Sequence, residues 1–164
     1  MIRWLGADDL AQWRDLRAEA LRQNPTAFLT TLEEFLAKSD ASVQAQLSRG
    51  ATLGGFLGGE LMCACAYSRK SAHRQTQHRA EITAVYARPA ARGSGIATEL
   101  MRYLEQHARA QGVTQLELDV EVLNSAAIRF YEKLGYTQYG VLPSGTLTDD
   151  IARDDLLMVR LLDR

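Results

Sequence analysis

Residues 80–135 switch hydrophobic period three times, and no other feature of the 164-residue chain restricts its fold as much. "AEITAVYA" (80–87) alternates, with Ile82, Ala84 and Tyr86 on one side and Glu81, Thr83, Val85 and Ala87 on the other. That is the two-residue period of a strand. The period then lengthens: Ile96, Leu100, Tyr103, Leu104, His107 and Ala108 fall on one side of a helix. "QLELDVEV" (115–122) alternates again, setting Leu116, Leu118, Val120 and Val122 against Glu117, Asp119 and Glu121. Finally Ala127, Phe130, Tyr131 and Leu134 recur at helical spacing, and Gly135 stops that helix. Strands alternating with amphipathic helices have to lay those helices against a sheet, which is an α/β architecture.

The flanking segments extend this pattern. "IRWLG" reads as a short strand. Asp8 or Asp9 is placed to cap a helix carrying Leu10, Trp13, Leu16, Ala20 and Leu21, and Pro25 limits it. "TTLEEFLAKSDASVQAQLSRG" reads as one or two short helices, with Thr31 and Glu34 in capping-box spacing and Gly50 at the end. A hairpin around "GGE" follows, then a polar loop, "KSAHRQTQHR". "YTQYGVL" and "DDLLMVRLL" read as closing strands. With no internal repeat or linker, residues 1–164 are expected to form a single domain with a mixed sheet.

Several function classes are excluded on composition. A net charge of −1 provides no general attraction for nucleic acid. No apolar run is long enough to span a bilayer, and "MIRWLGADDL" lacks the apolar core of a signal peptide, so no membrane partner and a cytoplasmic location are expected. Cys63 and Cys65, two residues apart, suit neither an ordinary disulfide nor a zinc site and read as small buried apolar residues. His73 and His78 lack supporting ligands, so no metal site is expected.

The stretch "RGSGIA" (92–97) sits between the first strand and helix of the pattern. Amides at the start of a helix have no partners inside it, and the helix dipole adds about half a positive charge there. Gly93 and Gly95 have no Cβ to hold a bulky anion away, and Arg92 adds a fixed charge suited to phosphate oxygens. The stretch is neither a Walker sequence nor a dinucleotide fingerprint, so on its own it is read as either a phosphate seat or a plain turn.

Taken with "NSAAIRFYEKLGY" (124–136), the stretch resembles the GNAT superfamily of acyl-CoA-dependent N-acetyltransferases. Arg92, Gly93, Ser94, Gly95, Ile96 and Ala97 follow that family's loop pattern, and Asn124, Tyr131 and "EKLGY" follow its later one. The resemblance is close over residues 80–140. It implies a GNAT-like mixed, mostly antiparallel sheet of six to seven strands, splayed at the cofactor site and flanked by about four helices. It also implies acetyl-CoA as acyl donor. Val85 and Ala87 match positions whose backbone pairs with the pantetheine arm, Arg92 through Ala97 with Thr98 match the diphosphate contacts, and Asn124 and Ala127 match cofactor contacts near the thioester end.

Direct acetyl transfer needs a base for the amine, a donor for the oxyanion and an acid for the departing thiolate. By resemblance Tyr131 is the acid, Glu81 the first candidate base, Asp119 its rival, and the Val85 N–H the oxyanion donor. Each carboxylate also reads as an ordinary solvated strand residue, and Tyr131 also reads as core. The acceptor is expected to be a primary amine on a small molecule or a protein. The walls of its site are expected in "AFLTTLEEFLAKSDAS" and in a loop "SGTLTDDIARDDL" between the last two strands. The basic loop around Arg69, Lys70, Arg74 and Arg79 reads either as an exposed tip or as a contact for an acidic group. A homodimer is possible among such proteins. The competing function classes are a regulatory module that holds acyl-CoA without turnover and a binder of some other nucleotide.

Overall fold

The computed structural model describes residues 1–162. Its strands are β1 (Ile2–Trp4), β2 (Thr52–Leu57), β3 (Glu60–Arg69), β4 (Arg79–Ala87), β5 (Gln115–Glu121), β6 (Thr137–Thr148) and β7 (Ile151–Leu161). Its α-helices are α1 (Leu10–Gln23), α2 (Leu32–Leu36), α3 (Asp40–Leu47), α4 (Ile96–Ala110) and α5 (Ser125–Lys133). The strands form one sheet in the order β1-β2-β3-β4-β5-β7-β6. The strand count falls in the expected range, and there are five α-helices rather than about four. β1 on β2, β2 on β3, β5 on β7 and β6 on β7 are antiparallel, and β4 on β5 is parallel. The residues divide into two compact units, Met1–Tyr67 with Ala84–Leu104, and Ser68–Thr83 with Glu105–Arg164.

The core of the first unit is apolar. Trp13, Leu16, Ala20 and Leu21, one face of α1, pack with Phe35, Val43 and Leu47 from α2 and α3 and with Phe56, Leu61 and Tyr86 from the strands. Of the two helix starts signalled in the sequence, the one at Thr31 holds and the one at Asp9 does not. Thr31 and Glu34 close the capping box, and the Ser39 hydroxyl caps α3 by accepting from the Ser42 N–H. Asp9 precedes α1 as expected, but its carboxylate accepts from the Gly6 N–H (2.9 Å) and pairs with Arg3 (2.6 Å) instead of capping the helix. An arginine that forks onto both carboxylate oxygens outcompetes a single amide. Cys63 and Cys65 are both buried on β3, and burial pushes the Cys63 thiol up to about 11.

In the second unit β5 lies against β7 along its whole length, from Gln115↔Leu161 to Glu121↔Asp155. The parallel ladder of β4 on β5 is three residues long, Arg79–Glu81 against Gln115–Glu117. "SGTLTDDIARDDL" is not a loop. Thr146↔Arg153 and Thr148↔Ile151 pair, so the segment is the end of β6, a two-residue turn and the start of β7. Asp149 and Asp150 both take positive φ, 51° and 62°. That turn matches the twist of a hairpin, and Asp tolerates it better than most residues.

Two helix and strand faces also differ from expectation. On α4, Met101 is buried and Tyr103 exposed, because the buried stripe runs Ile96, Leu100, Met101, Leu104 and Ala108. On β5 the acidic side is not solvated throughout, since Glu117 and Glu121 are buried.

Candidate functional site

The anion seat read from the sequence is built as a turn followed by a long helix. A short 3-10 turn, Pro89–Ala91, ends in the glycine loop, and α4 begins at Ile96. Gly93 and Gly95 take φ of 80° and 82°, and the space a Cβ would fill beside each is open. A side chain there would strain the backbone and occupy the approach to it. Within the loop, the Arg92 N–H donates to Pro89 O, the Ser94 N–H to Ala91 O and the Ile96 N–H to Ser94 Oγ. The Glu99 N–H starts the helical ladder on Gly95 O. Among the described residues no acceptor is placed against the amides of Gly93, Gly95, Ala97 or Thr98. Arg92 is exposed and, among the described residues, in no ion pair. Arg88, four residues earlier, is committed to Asp15 (2.5 Å) and Glu19. The loop thus offers four free donors and one free cation at the positive end of a helix dipole, and these fit a diphosphate.

Immediately before it, β4 carries a conformation that strand periodicity does not announce. Ala84 has φ of 54°. Such a residue costs about 1–2 kcal/mol, and strain of this kind clusters at functional sites. It precedes Val85 and Ala87, both half-buried. Tyr86 between them is buried, and its hydroxyl donates to Glu19 Oε1 (2.8 Å) on α1. Burial first, and then Glu19, pushes the Tyr86 phenol up to about 12. The chain leaving Ala84 is therefore tied to α1 through both Tyr86 and Arg88.

The acid and base candidates lie in the second unit. Asn124 caps α5 by accepting from the Ala127 N–H (3.2 Å), so both residues sit at the helix start. Tyr131 is buried, with Phe130 at 5.5 Å and Tyr136 edge-on at 5.8 Å between ring centroids. Glu81 is half-buried, with Lys70 Nζ at 3.9 Å, and stands in register with Glu117. Asp119 reaches solvent. Desolvation by its neighbours pushes its carboxyl above the usual range; Lys70 opposes that and Glu117 adds to it. Nearby, Asp155 is pushed up for the same reason and by Asp119, Glu121 and Asp154.

Glu117, which alternation sets opposite the apolar side of β5, anchors this group. It receives Arg79 (2.5 Å), Lys70 (2.8 Å) and the Gln115 amide (2.9 Å). Burial alone would raise its carboxyl, but those donors outweigh burial and hold it at about 2. Lys70 and Arg79 are thereby spoken for, and Arg69 donates to the carbonyls of Gln77 and Gln111. These three basic residues of the loop serve the fold. His73 and His78 gain no third ligand: among the described residues no cluster of His, Cys, Asp or Glu is placed to hold a metal.

Comparison with known proteins agrees with this geometry. The chain belongs to the acetyltransferase (GNAT) family, whose model matches residues 10–136. Over 134 residues, 82% of this chain and 41% of the relative, it is 30% identical to a mycothiol acetyltransferase of Streptomyces scabiei. A mycothiol acetyltransferase of Streptosporangium roseum is 43% identical over 61 residues, 37% of this chain and 18% of that protein. The chain spans less than half the length of these curated relatives. A GNAT superfamily phosphinothricin acetyltransferase of Sinorhizobium meliloti, solved in complex with acetyl-CoA, superposes with a TM-score of 0.79. That match covers 99% of this chain and 88% of the other at 20% identity. No helix among the described residues is long and apolar enough to cross a membrane.

Proposed function

We propose that residues 1–164 work as one catalytic domain that moves the acetyl group of acetyl-CoA directly to a primary amine. The observation that carries this reading is the set of uncommitted amides at Gly93, Gly95, Ala97 and Thr98 in a chain of this family. Acetyl-CoA supplies the activated thioester. The loop amides and Arg92 hold its diphosphate, and Ser94 and Ile96 shape the turn. The backbone of Val85 and Ala87 takes the pantetheine amides as an added strand would, while Asn124 and Ala127, at the start of α5, contact the cofactor towards its thioester end. The Val85 N–H stabilises the oxyanion as the amine nitrogen bonds to the carbonyl carbon. Tyr131 gives its proton to the departing sulfur, and a carboxylate takes the proton of the incoming amine.

Asp119 suits the base role better than Glu81. Its carboxyl is held above the usual range and reaches solvent, whereas Glu81 is half-buried with Lys70 Nζ at 3.9 Å.

The first test is thermal unfolding with and without acetyl-CoA. At a hundredfold excess over Kd the stabilisation is about 2.7 kcal/mol, a rise of several degrees, and Gly95→Trp should abolish it. A wild-type chain that shows no shift in millimolar acetyl-CoA sinks the proposal. Given an acetylated amine, Tyr131→Phe should keep the acetyl-CoA shift and lose about 100-fold or more in turnover. Equal rates would remove Tyr131 from the chemistry.

A further inference from the structure

Helix α1 presents two arginines one turn apart, and they are treated differently. Arg14 stacks over Phe35 (5.7 Å), donates to Lys38 O and pairs with Asp40 (2.6 Å). Arg17 stacks over Phe28 (4.6 Å) and stops there. Its Nη1 is buried with no hydrogen-bond partner among the described residues. Among the described residues no carboxylate is within ion-pairing distance of it, and burial alone draws the guanidinium down to about 10. The side chain as a whole is only half-buried. A charged donor withdrawn from water without an acceptor is costly, and folded proteins rarely keep one unless something else completes it.

What completes it follows from the charge and shape present. One free guanidinium, with a ring against its face, leaves the edge of a planar fork, and a carboxylate matches that edge with two parallel hydrogen bonds. A phosphate carries about −1.5 to −2 charge and calls for a second cation. The nearest one along the helix, Arg14, is already occupied by Asp40. Phe28 belongs to the segment after α1, where the family resemblance implies one wall of the acceptor site.

We propose that Arg17 receives a carboxylate carried by the acceptor, so that the amine acetylated by this chain is also an acid. Identifying the carboxylate with the acceptor rests on the acetyltransferase reading; carboxylate binding at Arg17 does not. The two therefore fail separately, and the test omits acetyl-CoA.

Unfolding temperatures of the wild type and Arg17→Met are compared in sodium benzoate, sodium acetate, benzamide, sodium phosphate and sodium chloride at matched ionic strength. Met keeps the apolar stem and removes the stranded charge. Without ligand the variant should be at least as stable as the wild type. Benzoate and acetate should raise the wild type by about a degree or more over chloride, benzamide should not, and Arg17→Met should lose the response. Four results overturn the proposal: a wild type indifferent to carboxylates, an equal response in the variant, a larger effect of phosphate than of benzoate, or a variant less stable than the wild type. With an acetylated acid in hand, Arg17→Met should raise its KM about 10- to 100-fold and leave the matching decarboxylated amine unaffected.

Discussion

Glu117 in the second unit and Arg17 in the first are both charges withdrawn from water, and their surroundings differ in kind. Glu117 is 1% exposed and has two cations and an amide on its oxygens. Arg17 has an aromatic face and an empty donor. The first arrangement is complete within the fold and needs nothing from outside. The second is incomplete, and its incompleteness is what marks it for a ligand. Burial of a charge is therefore uninformative about function until its partners are counted.

The largest effect that would test this contrast is at Glu117. Glu117→Ala strands Arg79 and Lys70 beside a buried void, and urea unfolding should show a loss of about 3–5 kcal/mol. The same carboxyl sets an acid limit. Its folded value of about 2 lies below the unfolded value of 4.5, so its contribution is whole above about pH 4.5 and drains as pH falls towards 2. That shift corresponds to about 3 kcal/mol, and Glu117→Gln should flatten this limb of the stability profile. If both substitutions are silent, the paired side of the contrast is wrong.

The smallest effect sharpens the other side. Arg14→Met breaks an ion pair whose carboxylate, on Asp40, is 70% exposed, so the loss should be within about 1 kcal/mol. It should also leave the benzoate response intact. A variant of Arg14 that lost that response would move the carboxylate site one turn along α1.

Elements with one clear period were readable in advance. The strands read at 80–87 and 115–122 and the helices read after each stand as β4, β5, α4 and α5. The glycine loop was readable because glycine leaves a trace where the backbone must bend or be approached. What escaped had no local trace. Alternation gives Glu117 a side but not its partners, which come from residues 79 and 70 on other parts of the chain. The long β6–β7 hairpin was hidden by Pro143, Ser144 and Gly145, which read as loop although register resumes at Thr146 after an irregularity. In sequence Arg17 is one more cation on an amphipathic helix, and only its contacts in the fold leave Nη1 without a hydrogen-bond partner among the described residues.

The kink at Ala84 bears on how this chain tolerates change. A β-branched residue there, otherwise the natural choice for reinforcing a strand, resists positive φ and would pull the chain straight. Because side chains and amides alternate along an extended chain, straightening shifts everything downstream by half a pleat. Val85 and Ala87 would then face the wrong way for the pantetheine contacts proposed for them. An alteration that improves β4 as a strand would in this way disable it as a docking edge, and a stability screen would favour the damage.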